Sequence, residues 1–260
     1  MNKLNSADIV AYSGISRFKV DCRDILPSTN TELLNMAQNG AADATVLVSE
    51  CQTCGRGRFD RKFYSPQGTG VYFSILVRSN LCPQTVVKLT TDTAVAVSLA
   101  LSEFTDRDVQ IKWVNDIYID DKKVCGILAE SSFDAKRNAV DYAVVGIGIN
   151  ILPPQNGFPD DIVSKAGFVV DREDADIRNM VIGRVLYYFD KVTCEFSQTE
   201  ILGQYRSRSW LDGKEVEVIG INKSYSAKVI GIDDDMRLIV KTNSGDIEYL
   251  SSGEVNVKIK

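Results

Sequence analysis

Cationic side chains are concentrated in a short glycine-containing segment, residues 55–62. Its cations are Arg56, Arg58, Arg61 and Lys62, and its only carboxylate is Asp60. Glycine lets the backbone approach a ligand closely, and guanidinium groups grip carboxylate or phosphate oxygens in pairs. The segment therefore predicts a loop that folds over an anion, although a flexible Arg/Gly loop or an RNA-binding segment has the same composition.

The overall composition restricts the chemistry. The 260-residue chain is 44% hydrophobic and 25% charged, as expected of an ordinary globular protein. Its formal net charge of −5 argues against general affinity for nucleic acid, so the cations of 55–62 suggest a small anionic ligand. The chain has no histidine, which excludes Ser-His-Asp and Cys-His nucleophilic sites. The remaining Lys, Arg, Asp, Glu and Asn side chains suit phosphate chemistry, which depends on positioning and charge neutralisation.

Cysteine usage and hydropathy predict an ordinary cytoplasmic protein with reduced thiols. The cysteines are Cys22, Cys51, Cys54, Cys82, Cys125 and Cys194. Cys51 and Cys54 have the spacing of a redox pair or half a zinc site, but no second pair or histidine completes a tetrahedron, so we expect buried or loop thiols. The polar start of the chain is unlike a signal peptide. No apolar run reaches the ~20 residues of a membrane span.

Polar residues cluster between two predicted strands at 112–116. Lys112, Asn115 and Asp116 would place a cation, an amide and a carboxylate around a nucleotide and its metal. The alternative is a simple turn at the strand ends in which Lys112 and Asp116 pair with each other.

Two later segments combine apolar strands with glycine. Strand alternation places Lys123 on one sheet face with Cys125, and Gly126 on the other face, so that Lys123 would reach a ligand while Gly126 allows a close approach. Solvated lysines at a hairpin turn are the alternative. Gly146 and Gly148 interrupt a buried strand that ends at Asn150, which again suggests a close approach by a ligand or backbone.

The pattern of elements predicts an α+β protein. Thr29 and Glu32 have capping-box spacing at the start of a helix that stops before Gly40. Predicted strands lie at 44–49, 70–78, 109–113, 116–120, 123–130 and 142–149, and predicted helices at 84–104 and 175–196. Five short alternating segments follow, at 215–220, 225–232, 237–242, 247–250 and 255–259. We therefore expect a mixed sheet packed with helices in a domain at 1–207, followed by a small β-barrel domain at 208–260.

Together these segments resemble the biotin protein ligase family, whose members biotinylate carboxylase carrier proteins. The resemblance covers residues 28–30, 52–58, 65–68, 112–116, 123–128, 146–150 and 251–255. It implies a biotin/lipoate ligase-like catalytic domain with an SH3-like C-terminal barrel. It also implies an ATP-dependent ligase that makes biotinyl-5′-AMP and transfers biotin to a lysine of a biotin carboxyl carrier protein.

The resemblance also implies the roles of individual residues. The catalytic group would be Lys123, Arg58 and Asp116. Biotin would be bound by Ser28, Thr29, Asn30, Gln52, Gly55, Arg56, Gly57, Arg58, Lys123, Gly126 and Gly146. ATP would be bound by Arg58, Arg61, Phe63, Lys112, Asn115, Asp116 and Asn150. Mg²⁺ would be held through the ATP phosphates, without a dedicated cluster of protein ligands.

Partners follow from the same resemblance: biotin, ATP and the carrier protein, with neither nucleic acid nor membrane. Few residues precede Ser28, so we expect no operator-binding helix-turn-helix domain. The family also allows a homodimer formed through a sheet edge.

The chain departs from the family pattern at a few positions. Phe63 stands where the family usually has a tryptophan stacked on adenine, and Asp60 stands at a common glycine position. Val114 replaces a usual proline and Cys54 a usual alanine. Two other functions share these features: a lipoate or octanoate ligase or transferase on the same scaffold, and a catalytically silent biotin-binding protein. A lipoate enzyme would need a long apolar slot in place of the polar residues at 28–30 and 52.

Overall fold

The computed structural model describes residues 2–78, 81, 83–134, 139–171, 174–219, 224–251 and 254–257. Cys82 and residues 252–253 of the 251–255 match lie outside these described residues. So do residue 220 of the predicted strand 215–220 and residues 258–259 of the predicted strand 255–259. The side chain of Asp60 is also outside the description.

The elements that were predicted from the sequence are present in the structure with similar bounds. The α-helices of the described residues are α1 Ser6–Ser13, α2 Thr29–Gln38, α3 Pro83–Leu101, α4 Ile177–Cys194 and α5 Gln198–Ser207. The strands are β1 Lys19–Leu26, β2 Thr45–Gln52, β3 Gly70–Val77, β4 Gln110–Lys112, β5 Asp116–Ile119, β6 Lys122–Asp134, β7 Ala139–Asn150, β8 Glu215–Ile219, β9 Ser224–Ile232, β10 Leu238–Thr242, β11 Ile247–Leu250 and β12 Glu254–Val257.

The larger sheet has seven strands in the order β1-β2-β3-β7-β6-β5-β4. β1 runs parallel to β2, and the other neighbours are antiparallel, so the sheet is mixed. Helices α1, α3 and α4 pack together over the main apolar core on one face. Helix α2 covers the other face through a small cluster of Leu33, Ala37, Leu47, Leu76 and Val144. The predicted α+β class is confirmed.

The smaller sheet contains the five predicted strands, all antiparallel, in the order β11-β10-β9-β8-β12. The expected SH3-like barrel is not closed, because among the described residues the edge strands β11 and β12 do not pair with each other. Sequence alternation predicts where strands form, but closure requires pairing of the two outermost strands, which alternation does not encode.

The two sheets are joined next to the turn between β4 and β5. Backbone hydrogen bonds connect Ile111 to Arg208 and Trp210, at 2.7 and 2.9 Å. The indole of Trp113 donates to the carbonyl of Met236 at 2.9 Å, and Met236 adopts a φ of 61° in the turn that presents this carbonyl. The apolar core continues from α5 into the smaller sheet. The division at 207/208 stays a prediction.

No described helix combines the length and the apolar character needed to cross a membrane.

Candidate functional site

Helix α2 begins at Thr29, and its N-cap is Ser28. The Ser28 hydroxyl accepts a hydrogen bond from the Thr31 amide at 3.4 Å, as N-cap serines do. The prediction that Thr29 caps the helix was therefore wrong by one residue. The difference matters because the Thr29 hydroxyl, which a cap would use, is instead available to a polar network.

This network is a set of side chains that we call the polar cradle: the buried Thr29, Asn30 and Ser74 and the half-buried Gln52. Gln52 Oε1 accepts from the Thr29 amide at 2.8 Å and from its hydroxyl at 3.2 Å. The Ser74 hydroxyl lies 2.8 Å from Thr29 Oγ1 and 2.6 Å from Asn30 Oδ1. Thr29, Asn30 and Ser74 are each less than 5% exposed. The cradle is therefore a preorganised set of donors and acceptors.

Gly146 of β7 lies directly against the polar cradle. It is the strand partner of Ser74, and a Cβ atom at this position would lie 2.1 Å from Asn30 Oδ1. Any side chain would displace the Asn30 amide. The close approach predicted for this glycine is thus made by a cradle side chain.

Residues 55–62, which we call the Gly/Arg loop, are held by a small bridge between Arg56 and Lys62. The Gly57 amide donates to the Arg61 carbonyl at 2.7 Å. Phe59 adopts a φ of 56° at the exposed tip of the loop. Gly55 packs so tightly that a Cβ there would lie 2.5 Å from the Phe63 carbonyl.

The cations of the Gly/Arg loop reach two different parts of the site. Arg58 Nη1 donates to Asn115 Oδ1 at 3.1 Å, so the loop contacts the turn between β4 and β5. Arg56 Nη2 donates to Glu130 Oε1 at 2.9 Å. Arg61 is exposed and lines a cavity of about 220 Å³ together with Cys54, Arg56 and neighbouring loop residues.

Lys123 forms an ion pair with Asp116, with Nζ 2.8 Å from Oδ1. Asp116 Oδ1 is buried and has no hydrogen-bond partner, so the ion pair is its contact with a cation. We therefore regard the contact as electrostatic. Lys112 is the strand partner of Asp116 across the β4–β5 turn, and its ammonium lies over the rings of Tyr118 and Trp210, 5.5 and 5.7 Å from their centroids.

The prediction that Lys123 and Gly126 lie on opposite faces was wrong. Cys125 pairs with Ile117 and Lys123 pairs with Tyr118, so Val124 is an extra residue in β6. Such a β-bulge shifts the alternation by one position. As a result the Lys123 side chain lies on the face of Gly126, where a Cβ would be 3.3 Å from its Nζ.

Phe63 lies over a platform of two paired glycines. Gly126 and Gly148 are strand partners in β6 and β7, and a Cβ at Gly148 would lie 2.5 Å from Phe63 Cε1. The ring also makes an edge contact with Tyr72 at a centroid distance of 6.4 Å. Replacement of either glycine would push the ring away from the sheet.

Asn150 and Asn115 are both engaged by backbone groups. Asn150 Nδ2 donates to the Gly167 carbonyl at 3.0 Å, and the Gly167 amide donates to the Lys123 carbonyl at 2.8 Å. Asn150 therefore holds the segment that flanks Lys123. Asn115 Nδ2 donates to the Ile127 carbonyl at 2.9 Å, which leaves its Oδ1 to accept from Arg58.

A buried phenol, a half-buried phenol and a buried thiol lie near the charged groups. Burial raises the pKa of Tyr205, whose hydroxyl donates to the Val114 carbonyl, and the pKa of Tyr118, to which the nearby Asp116 charge contributes. Burial likewise raises the pKa of the Cys125 thiol. These three groups therefore stay protonated near neutral pH.

Several residues of the site were given no role by the sequence prediction: Ser65, whose hydroxyl accepts from Gln52 Nε2 at 3.0 Å, and Ser74, Glu130, Gly148 and Tyr205. Ser74 interrupts an apolar strand, and this signal was available in the sequence. Gly148 was noted with Gly146 as needing an explanation but was given no role. Tyr205 enters from α5, an element that was not predicted.

Comparisons with known proteins agree with this geometry. The profile of the Biotin/lipoate A/B protein ligase family matches residues 23–150, and that of the Biotin protein ligase C terminal domain matches residues 213–258. The bifunctional ligase/repressor BirA of Bacillus subtilis is 32% identical over 241 residues, which cover 90% of this chain and 72% of BirA. A biotin–[acetyl-CoA-carboxylase] ligase of Mycobacterium tuberculosis is 29% identical, over 88% of this chain and 85% of that protein.

A similar solved structure is the biotin protein ligase from Aquifex aeolicus in complex with biotin and ATP. It is 29% identical with a TM-score of 0.74, and the match covers 93% of this chain and 99% of that one. The fold is thus that of a ligase catalytic domain with a C-terminal sheet. The chain belongs to the biotin protein ligase family.

Proposed function

We propose that this protein is an ATP-dependent ligase that activates biotin as biotinyl-5′-AMP and transfers biotin to a lysine of a biotin carboxyl carrier protein. The observation that carries the proposal is the meeting of the polar cradle with the cations of the Gly/Arg loop and of β6. A neutral ureido ring suits the cradle, and carboxylate and phosphate oxygens suit the cations. The family relationship supports the same conclusion.

Biotin would lie with its ring on the polar cradle and its carboxylate toward the cations. Ser28, Thr29, Asn30 and Gln52 would hold the ring, and Gly55, Gly57, Gly126 and Gly146 would line the pocket. Arg56, Arg58 and Lys123 would face the carboxylate. Hydrogen bonds from ionised donors are the strong ones in such a site.

Adenylation joins two anions, and this repulsion is the barrier that the site would lower. A carboxylate oxygen attacks the α-phosphorus, the bond to the bridging oxygen breaks, and pyrophosphate leaves. Arg58 and Lys123 would neutralise the crowding oxygens at the moment of reaction. Both cations are already oriented, Arg58 by Asn115 and Lys123 by Asp116, so little reorganisation is needed.

ATP would lie on the side of the site formed by the β4–β5 turn and the glycine platform. Phe63 would stack on adenine, and Arg61, Lys112, Asn115, Asp116 and Asn150 would surround the phosphates. The oxygen donors here, one carboxylate and two amides, fit a Mg²⁺ ion that keeps most of its ligands from phosphate and water. When bound, Mg²⁺ neutralises phosphate charge. Among the described residues no group of three or more Cys, Asp or Glu side chains is placed to hold a metal.

The second half-reaction transfers biotin to the carrier lysine. The lysine nitrogen attacks the acyl carbon of the mixed anhydride and AMP leaves. No histidine is present to accept the lysine proton. Asp116 is the carboxylate beside Lys123 and would orient the incoming ammonium or accept its proton.

The polar cradle also favours biotin over lipoate. A dithiolane on an alkyl chain would offer the donors and acceptors of the cradle no hydrogen bond, whereas the ureido ring of biotin has both an acceptor oxygen and donor N–H groups. The predicted homodimer, cytoplasmic location and absence of nucleic acid partners stay predictions.

The test is to measure both half-reactions with Arg58→Ala and Lys123→Ala. Pyrophosphate release from biotin and Mg-ATP should fall by about 100-fold or more in either variant, while thermal unfolding changes little. Lys228→Ala, an exposed lysine on the smaller sheet, is the control and should behave as wild type. Wild-type rates in a variant would remove that residue from the mechanism. No mass gain by a competent carrier domain with the wild-type protein would favour the silent biotin-binding protein.

A further inference from the structure

Glu130 connects the Gly/Arg loop to the polar cradle. Its Oε1 accepts from Arg56 Nη2 at 2.9 Å, and its Oε2 accepts from Asn30 Nδ2 at 2.9 Å. Arg56 Nη1 lies 3.4 Å from the same Oε2 and from Thr31 Oγ1. One carboxylate therefore contacts a loop cation and a cradle amide at the same time.

The contacts form a continuous chain of polar groups. It runs from Gln52 through Thr29, Ser74 and Asn30 to Glu130, and then to Arg56. Each interior member has a partner on both sides, so displacing one alters the contacts of the next. The position of the Arg56 guanidinium is thus tied to the arrangement of the cradle.

Glu130 also competes with any anionic ligand for Arg56. The guanidinium donates to this carboxylate in the present structure, and an incoming carboxylate or phosphate offers the same oxygen geometry. The Arg56 side chain is 42% exposed and Glu130 24%, so solvent screens the pair and the exchange is inexpensive. A contact of this strength holds a loop in place without preventing its movement.

We propose that Glu130 is a positioning residue that holds Arg56 against the polar cradle until an anionic ligand takes over the guanidinium. The proposal rests on the proposed function, since the ligand is the carboxylate of biotin or of its adenylate. Glu130 stabilises the empty site with the loop already near its working position, which shortens the movement needed to cover the ligand.

Glu130→Gln tests the proposal, because glutamine keeps an oxygen that accepts from Asn30 but loses the charge that holds Arg56. Trypsin cleaves after the Arg and Lys residues of 56–62, so the cleavage rate of the full chain reports how often the loop opens. Without ligand, Glu130→Gln should be cleaved about threefold faster than wild type at low salt. The difference should disappear at about 1 M salt, because salt screens the ion pair.

A remote ion pair provides the control. Glu103 accepts from Arg184 Nε and Nη2, each at 2.6 Å, outside the site. Glu103→Gln should leave cleavage of the Gly/Arg loop unchanged. Glu130→Asp keeps the charge on a shorter side chain and should give an intermediate rate, which keeps the test available if Glu130→Gln folds poorly.

Saturating biotin alone should bring the cleavage rates of Glu130→Gln and wild type together, because the ligand carboxylate then holds Arg56 in both. Equal rates without ligand, or an increase in Glu130→Gln that is insensitive to salt, would overturn the proposal. Failure of the wild-type protein to label a carrier domain would instead count against the proposed ligase function, with the cleavage result unaffected.

Discussion

Replacing Gly146 by alanine tests the polar cradle most directly. The added methyl group would lie 2.1 Å from Asn30 Oδ1, 2.7 Å from its Cγ and 3.0 Å from its Nδ2. Asn30 cannot move aside freely, because it is 4% exposed and bound to Ser74, Leu128 and Glu130. The substitution therefore has to break at least one buried hydrogen bond.

The expected magnitude follows from two costs. Forcing an extra methyl group into a packed site costs about 1–3 kcal/mol, and a buried polar group left without its partner costs about 1–3 kcal/mol more. We expect the free energy of unfolding of Gly146→Ala to fall by roughly 2–6 kcal/mol. The displaced Asn30 amide would also be lost to the ligand, and a loss of about 2 kcal/mol corresponds to roughly 30-fold weaker biotin binding.

Gly148→Ala is the matched comparison, two residues further along the same strand and face. Its methyl group would meet the Phe63 ring, at 2.5 Å from Cε1, and would leave the cradle untouched. Titration calorimetry with biotin alone should show a large loss of affinity for Gly146→Ala and none for Gly148→Ala. Gly148→Ala should instead raise the KM for ATP. Wild-type biotin affinity in Gly146→Ala, or equal losses in both variants, would refute this placement of the ligand.

Three further predictions concern stability and use urea unfolding. Burial raises the pKa of Asp92 to about 6. The folded state should therefore lose about 3 kcal/mol of stability as the pH rises from about 4 to 6. Asp92→Asn should flatten this dependence of stability on pH, and an unchanged profile would contradict the prediction. Arg178→Met should lower the free energy of unfolding by about 3–5 kcal/mol, because it leaves the carboxylate of Glu50 buried without a counterion. Adding Glu50→Gln to this variant should recover most of the lost stability. Trp113→Phe should cost about 1–3 kcal/mol by leaving the Met236 carbonyl unpaired; no change would mean that water replaces the indole.

Much of the fold could be predicted because its central elements follow simple periodic patterns. Strands β3 and β7 are apolar runs bounded by polar residues, and the main helices carry apolar residues at helical spacing. The five strands of the smaller sheet alternate clearly between turns. These signals are local, so they can be read from the sequence without knowing which other elements each helix or strand packs against.

Elements without such patterns were missed. Strand β1 is an edge strand whose residues are mostly exposed or half-buried, so it lacks both the apolar run and a clean alternation. Helix α1 is eight residues long and is defined by its Asn5 cap and by Gly14. Helix α5 has a full capping box at Ser197 and Glu200, so this helix was predictable from a signal that was overlooked.

The candidate site was predictable in its residue types but not in its pairings. Motif residues such as Arg58 and Asn115 are 57 positions apart in the chain, and only the fold brings them together. The predicted sheet face of the Lys123 side chain was wrong for a related reason. A β-bulge depends on how two strands register against each other, and no property of Val124 alone announces it.

Three of the cations assigned to the ligand already have a partner within the protein. Lys123 is paired with Asp116, Arg56 with Glu130 and Arg58 with the amide oxygen of Asn115. A group of unpaired cations would repel one another in the empty site and leave their positions undefined. Partners of this kind fix each cation in space, while their partial exposure keeps exchange for a ligand oxygen inexpensive. The overall acidity of the protein is therefore compatible with an anion site. Binding requires only that the ligand oxygens be better partners for these three cations, taken together, than the side chains that they replace.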